Sequence, residues 1–107
     1  RISVPPAHGA GVAASCAIDI PGSNFLLDWG GGLVWLSLPV DGGAHADKVR
    51  QAFQRCGGHA TLVRAPEAER RKVQVFEADG SMALVAEVKR AFDPQRVLNR
   101  GRMFEGL

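Results

Sequence analysis

The stretch "NFLLDWGGGLVWLSLP", residues 24 to 39, constrains the fold more than any other, because two apolar, aromatic-containing arms flank three consecutive glycines. Glycine takes positive φ without a steric penalty, so Gly30-Gly31-Gly32 can reverse the chain within a few residues. The pattern predicts two antiparallel strands. A lone hairpin is marginal in water and needs further strands or a helix to cover it.

The rest of the chain supplies both. Arg1 to Val4 predicts a short strand stopped by Pro5-Pro6, and "AHGAGVAASCA" predicts a helix from its alanine content despite Gly9 and Gly11. In "AHADKVRQAFQRCGG", Val49, Ala52, Phe53 and Cys56 recur at i, i+3, i+4 and i+7, one helical stripe ended by Gly57-Gly58. "HATLVRA" reads as a strand, and residues 66 to 78 read equally as a short helix or an extended segment. "SMALVAEVKRAF" predicts a last helix, with Met82, Val85, Val88 and Phe92 on one face, Ser81 or Asp79 as N-cap, and Asp93-Pro94 as the stop.

The resulting order is β-α-β-β-α-β, followed by an additional C-terminal helix and an extended tail. It predicts an α+β, ferredoxin-like sandwich, with an antiparallel sheet carrying both helices on one face. The expected organisation is a domain over residues 1–92 and a tail over 93–107. The 107 residues, 46% hydrophobic and 22% charged, are enough for one modest core.

The formal charge of +2 is far from the balance of a dedicated nucleic-acid binder, although the positive excess lies in the second half of the chain. No apolar run is long enough to span a membrane and no signal peptide is evident, so the expected location is cytoplasmic. The chain begins at Arg1 inside strand-like sequence, which fits a piece of a longer protein. Cys16 and Cys56 each fall near a helix end, where a disulfide and a pair of buried thiols are both open, the thiols being the reading for a cytoplasmic chain.

Chemistry-bearing constellations are sparse. Cys56-Gly-Gly-His59 is a single C-x-x-H without a second pair, so no metal site is expected. No serine or cysteine sits in a nucleophile motif, and no catalytic residue is nominated. Asp28 stands out among the carboxylates, lying in an apolar arm beside Trp29; Asp19 and Asp41 read as loop or cap residues. The glycine triplet lies between strands and lacks the strand-to-helix context of a phosphate loop. The same strand order occurs in RNA-recognition modules, but "LVWLSL" has one Trp, no flanking basic residue, and the chain has no Tyr. No nucleic-acid partner is expected.

The end of the chain is more specific. "AFDPQRVLNRGRMF" resembles the extreme C-terminus of FAD-linked oxidases of the vanillyl-alcohol oxidase type, whose pattern is roughly Phe-Asp-Pro-x-x-Leu/Phe-Asn-Pro-Gly-Lys/Arg. "LLDWGGGLVWL" and "GGHATLVRAP" are similar to segments of the FAD-binding subunits of bacterial glycolate oxidases. The resemblance implies that these residues form the cap domain and tail, lying over flavin and substrate and returning to an upstream flavin-binding domain. It also implies FAD in the full-length protein, none bound to this portion, oxidation of a small 2-hydroxy acid, and other oxidase subunits as partners. The portion alone is expected to be inactive.

Asn99, Gly101 and Arg102 match the family motif and are carried over as residues approaching flavin or substrate. Arg100 replaces the usual proline, which frees φ and adds a charge and a donor. Arg102 has the planar fork that suits a carboxylate or phosphate. His59 and Arg64 are weaker substrate candidates. Pro94 and Leu98 read as structural, and Trp29, Trp35 and Phe25 as core or interface. The alternative is a non-enzymatic ferredoxin-like binding module for protein or RNA, or a homo-oligomer paired through an uncovered sheet face.

Overall fold

The computed structural model describes residues 1–40, 43–77, 80–104 and 106–107. Its hairpin follows the glycine-centred pattern: β2 (Asn24–Asp28) pairs antiparallel with β3 (Leu33–Ser37), Leu26 facing Trp35 and Leu27 facing Val34. Asp28, the carboxylate in the apolar arm, accepts the Trp29 amide at 2.8 Å and so starts the reversal. Gly30 and Gly31 then turn at φ 63° and 96°.

The turn is pressed against the start of the first helix, α1 (Gly9–Asp19). A Cβ on Gly9 would stand 1.8 Å from the Gly31 carbonyl oxygen, and one on Gly31 would stand 2.6 Å from that of Pro6. Backbone approach requires glycine at both positions, and at Gly31 the positive φ requires it as well. A short 3-10 turn, Pro6–His8, leads into α1 with proline at its first position, where the missing N–H costs nothing.

Two short strands complete the sheet, β1 (Ile2–Ser3) and β4 (His59–Ala60). The order is β2-β3-β1-β4 and every pairing is antiparallel. This is the α+β, ferredoxin-like arrangement expected from the element order. Ile2 and Val34 lie opposite each other and join Val12, Ala13, Cys16 and Ile20 of the α1 segment and Val49 and Phe53 of α2 (Ala46–Phe53) in one buried core. The predicted stripe on α2 is thus the buried one, with Ala52 and Cys56 partly buried against it.

Cys16 and Cys56 are both free thiols. Burial, reinforced by Asp19, pushes the Cys16 thiol above its ordinary pKa, which makes it a packing group and not a nucleophile. The Cys56 thiol donates to the Phe53 carbonyl at 3.3 Å.

The strand expected over "HATLVRA" pairs with β1 only through His59 and Ala60, after which Arg1 and Thr61 exchange main-chain hydrogen bonds of 3.0 and 2.8 Å. The ambiguous segment holds a single helical turn, α3 (Glu67–Arg70). Arg71 pairs with Glu67 in solvent, and Lys72 pairs with the largely covered Glu69 at 2.9 Å. Trp29 is 74% exposed and Trp35 and Phe25 are also exposed, so none of the three belongs to the core.

The chain divides into two compact units, Arg1–Val75 and Phe76–Leu107. The second contains α4 (Met82–Phe92) and the tail. Ser81 occupies the N-cap position in α geometry and makes no capping bond, while Asp79 lies outside the described residues. The Phe76 and Phe104 rings lie 6.1 Å apart at 53°, within the range of tilted aromatic pairs.

Candidate functional site

The residues of the C-terminal motif are organised by Asp93. It follows α4, donates its amide to the Lys89 carbonyl at 2.8 Å, and its carboxylate turns back into the tail. One oxygen accepts the Val97 amide at 2.9 Å; the other accepts the Leu98 amide at 2.9 Å and the Lys89 ammonium at 2.5 Å. The ammonium also donates to the Leu98 carbonyl at 2.5 Å. With this set, led by the Lys89 hydrogen bond, the carboxyl is held at about 2, against an ordinary 3.8. Asp93 is 4% exposed.

Asp93-Pro94 therefore does more than end a helix. Proline prevents α continuation, and the aspartate clasps the chain four and five residues on. Leu98 is held through its main chain, and its side chain is exposed.

The clasp delivers a tight turn. The Asn99 carbonyl accepts the Arg102 amide at 3.1 Å, with Asn99 at φ 46° and Gly101 at φ 67°, and the Gly101 amide donates to the Leu107 carbonyl at 2.7 Å. Asn99, Gly101 and Arg102 are thus brought together in the second unit and are all exposed. An exposed guanidinium can receive an anion by charge-assisted hydrogen bonds. The left-handed conformation at Gly101 explains the glycine. Arg100, where the family pattern has proline, is exposed and part of the same turn.

His59 and Arg64 belong to the first unit. His59 sits on β4 opposite Ser3 and is exposed. Arg64 lines a groove of about 390 Å³ whose walls are Trp35 to Val40 on one side and Leu62 to Pro66 on the other, with Arg1 between them. Trp35, expected in a core or interface, is exposed and lines this groove. His59 does not line this groove.

In the glycine triplet, the Pro6 carbonyl oxygen takes the space that a Cβ on Gly31 would need. No group of three or more metal-ligating side chains lies together among the described residues. The signal for the clasp in the sequence is a basic residue, Lys89, four positions before an Asp-Pro at a helix end.

Compared with known proteins, the chain is 31% identical over 98 aligned positions, covering 84% of its length, to glycolate oxidase subunit GlcE of Escherichia coli (strain K12). It spans 23% of that relative's length. No family model and no solved structure matches it.

Proposed function

We propose that the chain is the C-terminal cap portion of an FAD-dependent 2-hydroxy-acid oxidase subunit, with glycolate as the representative substrate. The observation that carries this reading is the similarity to a glycolate oxidase subunit over most of the chain, together with the C-terminal Phe-Asp-Pro…Leu-Asn motif that the Asp93 clasp shapes. In the division of labour we propose, residues 1–92 form the cap and residues 93–107 return toward a flavin domain carried elsewhere in the polypeptide. Bound FAD would accept the hydride from the substrate's α-carbon. The chain's own contribution is binding and orientation.

The clasp fixes the Asn99–Arg102 turn, Asn99 and the Gly101 backbone approach the flavin, and Arg102 holds a carboxylate or phosphate. His59 and Arg64 act on the substrate side. Other oxidase subunits are its partners, and the portion alone is inactive and flavin-free. Among the described residues no helix is long and apolar enough to cross a membrane.

The test of the site uses the full-length protein. A charge-assisted hydrogen bond contributes about 1.5–3 kcal/mol, so Arg102→Ala should raise either the substrate KM or the FAD dissociation constant roughly 10- to 100-fold. Arg100→Ala should leave both unchanged. If Arg102→Ala moves neither constant, the assignment of the turn to the flavin site is wrong.

A further inference from the structure

The groove between β3 and the chain beyond β4 has the form of a missing stretch of strand. β1 is central in the sheet but has only two residues, Ile2 facing Val34 and Ala60, Ser3 facing Leu33 and His59. β3 continues to Ser37, and the chain after β4 continues through Arg64 along the groove's other wall. Carrying both registers upstream of Arg1 sets the next residue opposite Leu36 and Leu62. The one before it falls opposite Ser37 and Val63, and the third opposite Leu38 and Arg64. These are the residues that wall the groove.

The main-chain polarity agrees. Antiparallel ladders alternate bonded and non-bonded pairs. Val4 donates to Gly32 at 3.0 Å and Arg1 exchanges bonds with Thr61, so by alternation Leu36 and Val63 turn their main-chain groups into the groove. Leu62 turns the other way, its amide donating to the Val75 carbonyl at 3.1 Å. Side-chain parity agrees as well. A residue immediately upstream of Arg1 shares the core-facing side of Ile2, and there an apolar cavity of about 80 Å³ lies between Leu36, Leu38, Val49, Leu62 and Val75. The amine of Arg1 occupies the strand line, where burial and its own guanidinium hold its pKa below the ordinary value. A peptide amide at that place carries no such charge.

We propose that in the full-length polypeptide the residues immediately preceding Arg1 lie in this groove as a continuation of β1, the nearest of them placing an aliphatic side chain in the cavity. The region of similarity is 23% of the matched relative's length. The arrangement turns β1 from a two-residue bridge into a true central strand and is independent of the oxidase reading.

Amide hydrogen exchange tests it, comparing the full-length protein with the 107-residue chain. The Leu36 and Val63 amides should exchange roughly 100-fold more slowly in the full-length protein, while Thr61, bonded to Arg1 in both, serves as the control for global unfolding. Replacing the residue just before Arg1 by Asp should abolish that protection and leave Thr61 protected. Equal exchange in the two proteins overturns the proposal. So does protection in the 107-residue chain that rises with its concentration, which would assign the groove to a second copy. A proline in the position facing Leu36 overturns it too, since that residue must donate its amide.

Discussion

Asp93 does three things with one carboxylate: it ends the reach of α4, receives the Lys89 ammonium, and ties down the Val97 and Leu98 amides. Its pKa of about 2 lies below the ordinary value, so its contribution to stability is fully present above the unfolded-state pKa near 3.8 and is lost as pH falls through 2. The Val97 and Leu98 amide resonances should therefore titrate together with a midpoint near 2. Asp93→Asn should remove that titration and loosen the turn that follows, even at neutral pH. Resonances that titrate near the ordinary carboxyl value, or that ignore pH, would mean the clasp is not formed in solution. The sequence offered Asp-Pro as a stop signal. It did not reveal the clasp, because an aspartate's choice among its neighbours' amides depends on the path of the chain beyond the proline.

Among the elements, the hairpin and α1 are fixed to each other by backbone contact. Gly9→Ala must displace the Gly31 carbonyl, an overpacking of main chain against main chain that should cost about 1–3 kcal/mol or more by denaturant unfolding. Gly11→Ala, with open space around it and an ordinary helical backbone, should stabilise by about 0.5–1 kcal/mol. The reverse ranking would contradict the packing of the turn on the helix.

Helical periodicity located α2 and α4 equally well but spoke differently about burial. Val49 and Phe53 are in the core, whereas Phe92 on the corresponding stripe of α4 is 84% exposed. Periodicity reports which residues share a face and says nothing of what lies against that face. The strand expected over "HATLVRA" shortens to a two-residue ladder for a related reason: its partner β1 spans only Ile2–Ser3, and a strand needs a neighbour as well as a propensity.

For the molecule as a whole, the ferredoxin-like topology was legible because the hairpin, the α2 stripe and the glycine stops agree with one order of elements. The candidate site was legible only through the C-terminal motif. The geometry adds that Asn99, Gly101 and Arg102 are gathered into one exposed turn, and that Arg64 and Trp35 share a groove in the other unit. In the function proposed above, these residues bind cofactor and substrate.

The most direct measurement is flavin absorbance of the purified full-length protein beside the purified 107-residue chain, each before and after adding glycolate without an electron acceptor. The account predicts bound flavin that glycolate bleaches in the full-length protein and no flavin in the chain alone. A chain that retains flavin or oxidises glycolate by itself, or a full-length protein that binds none, would contradict it.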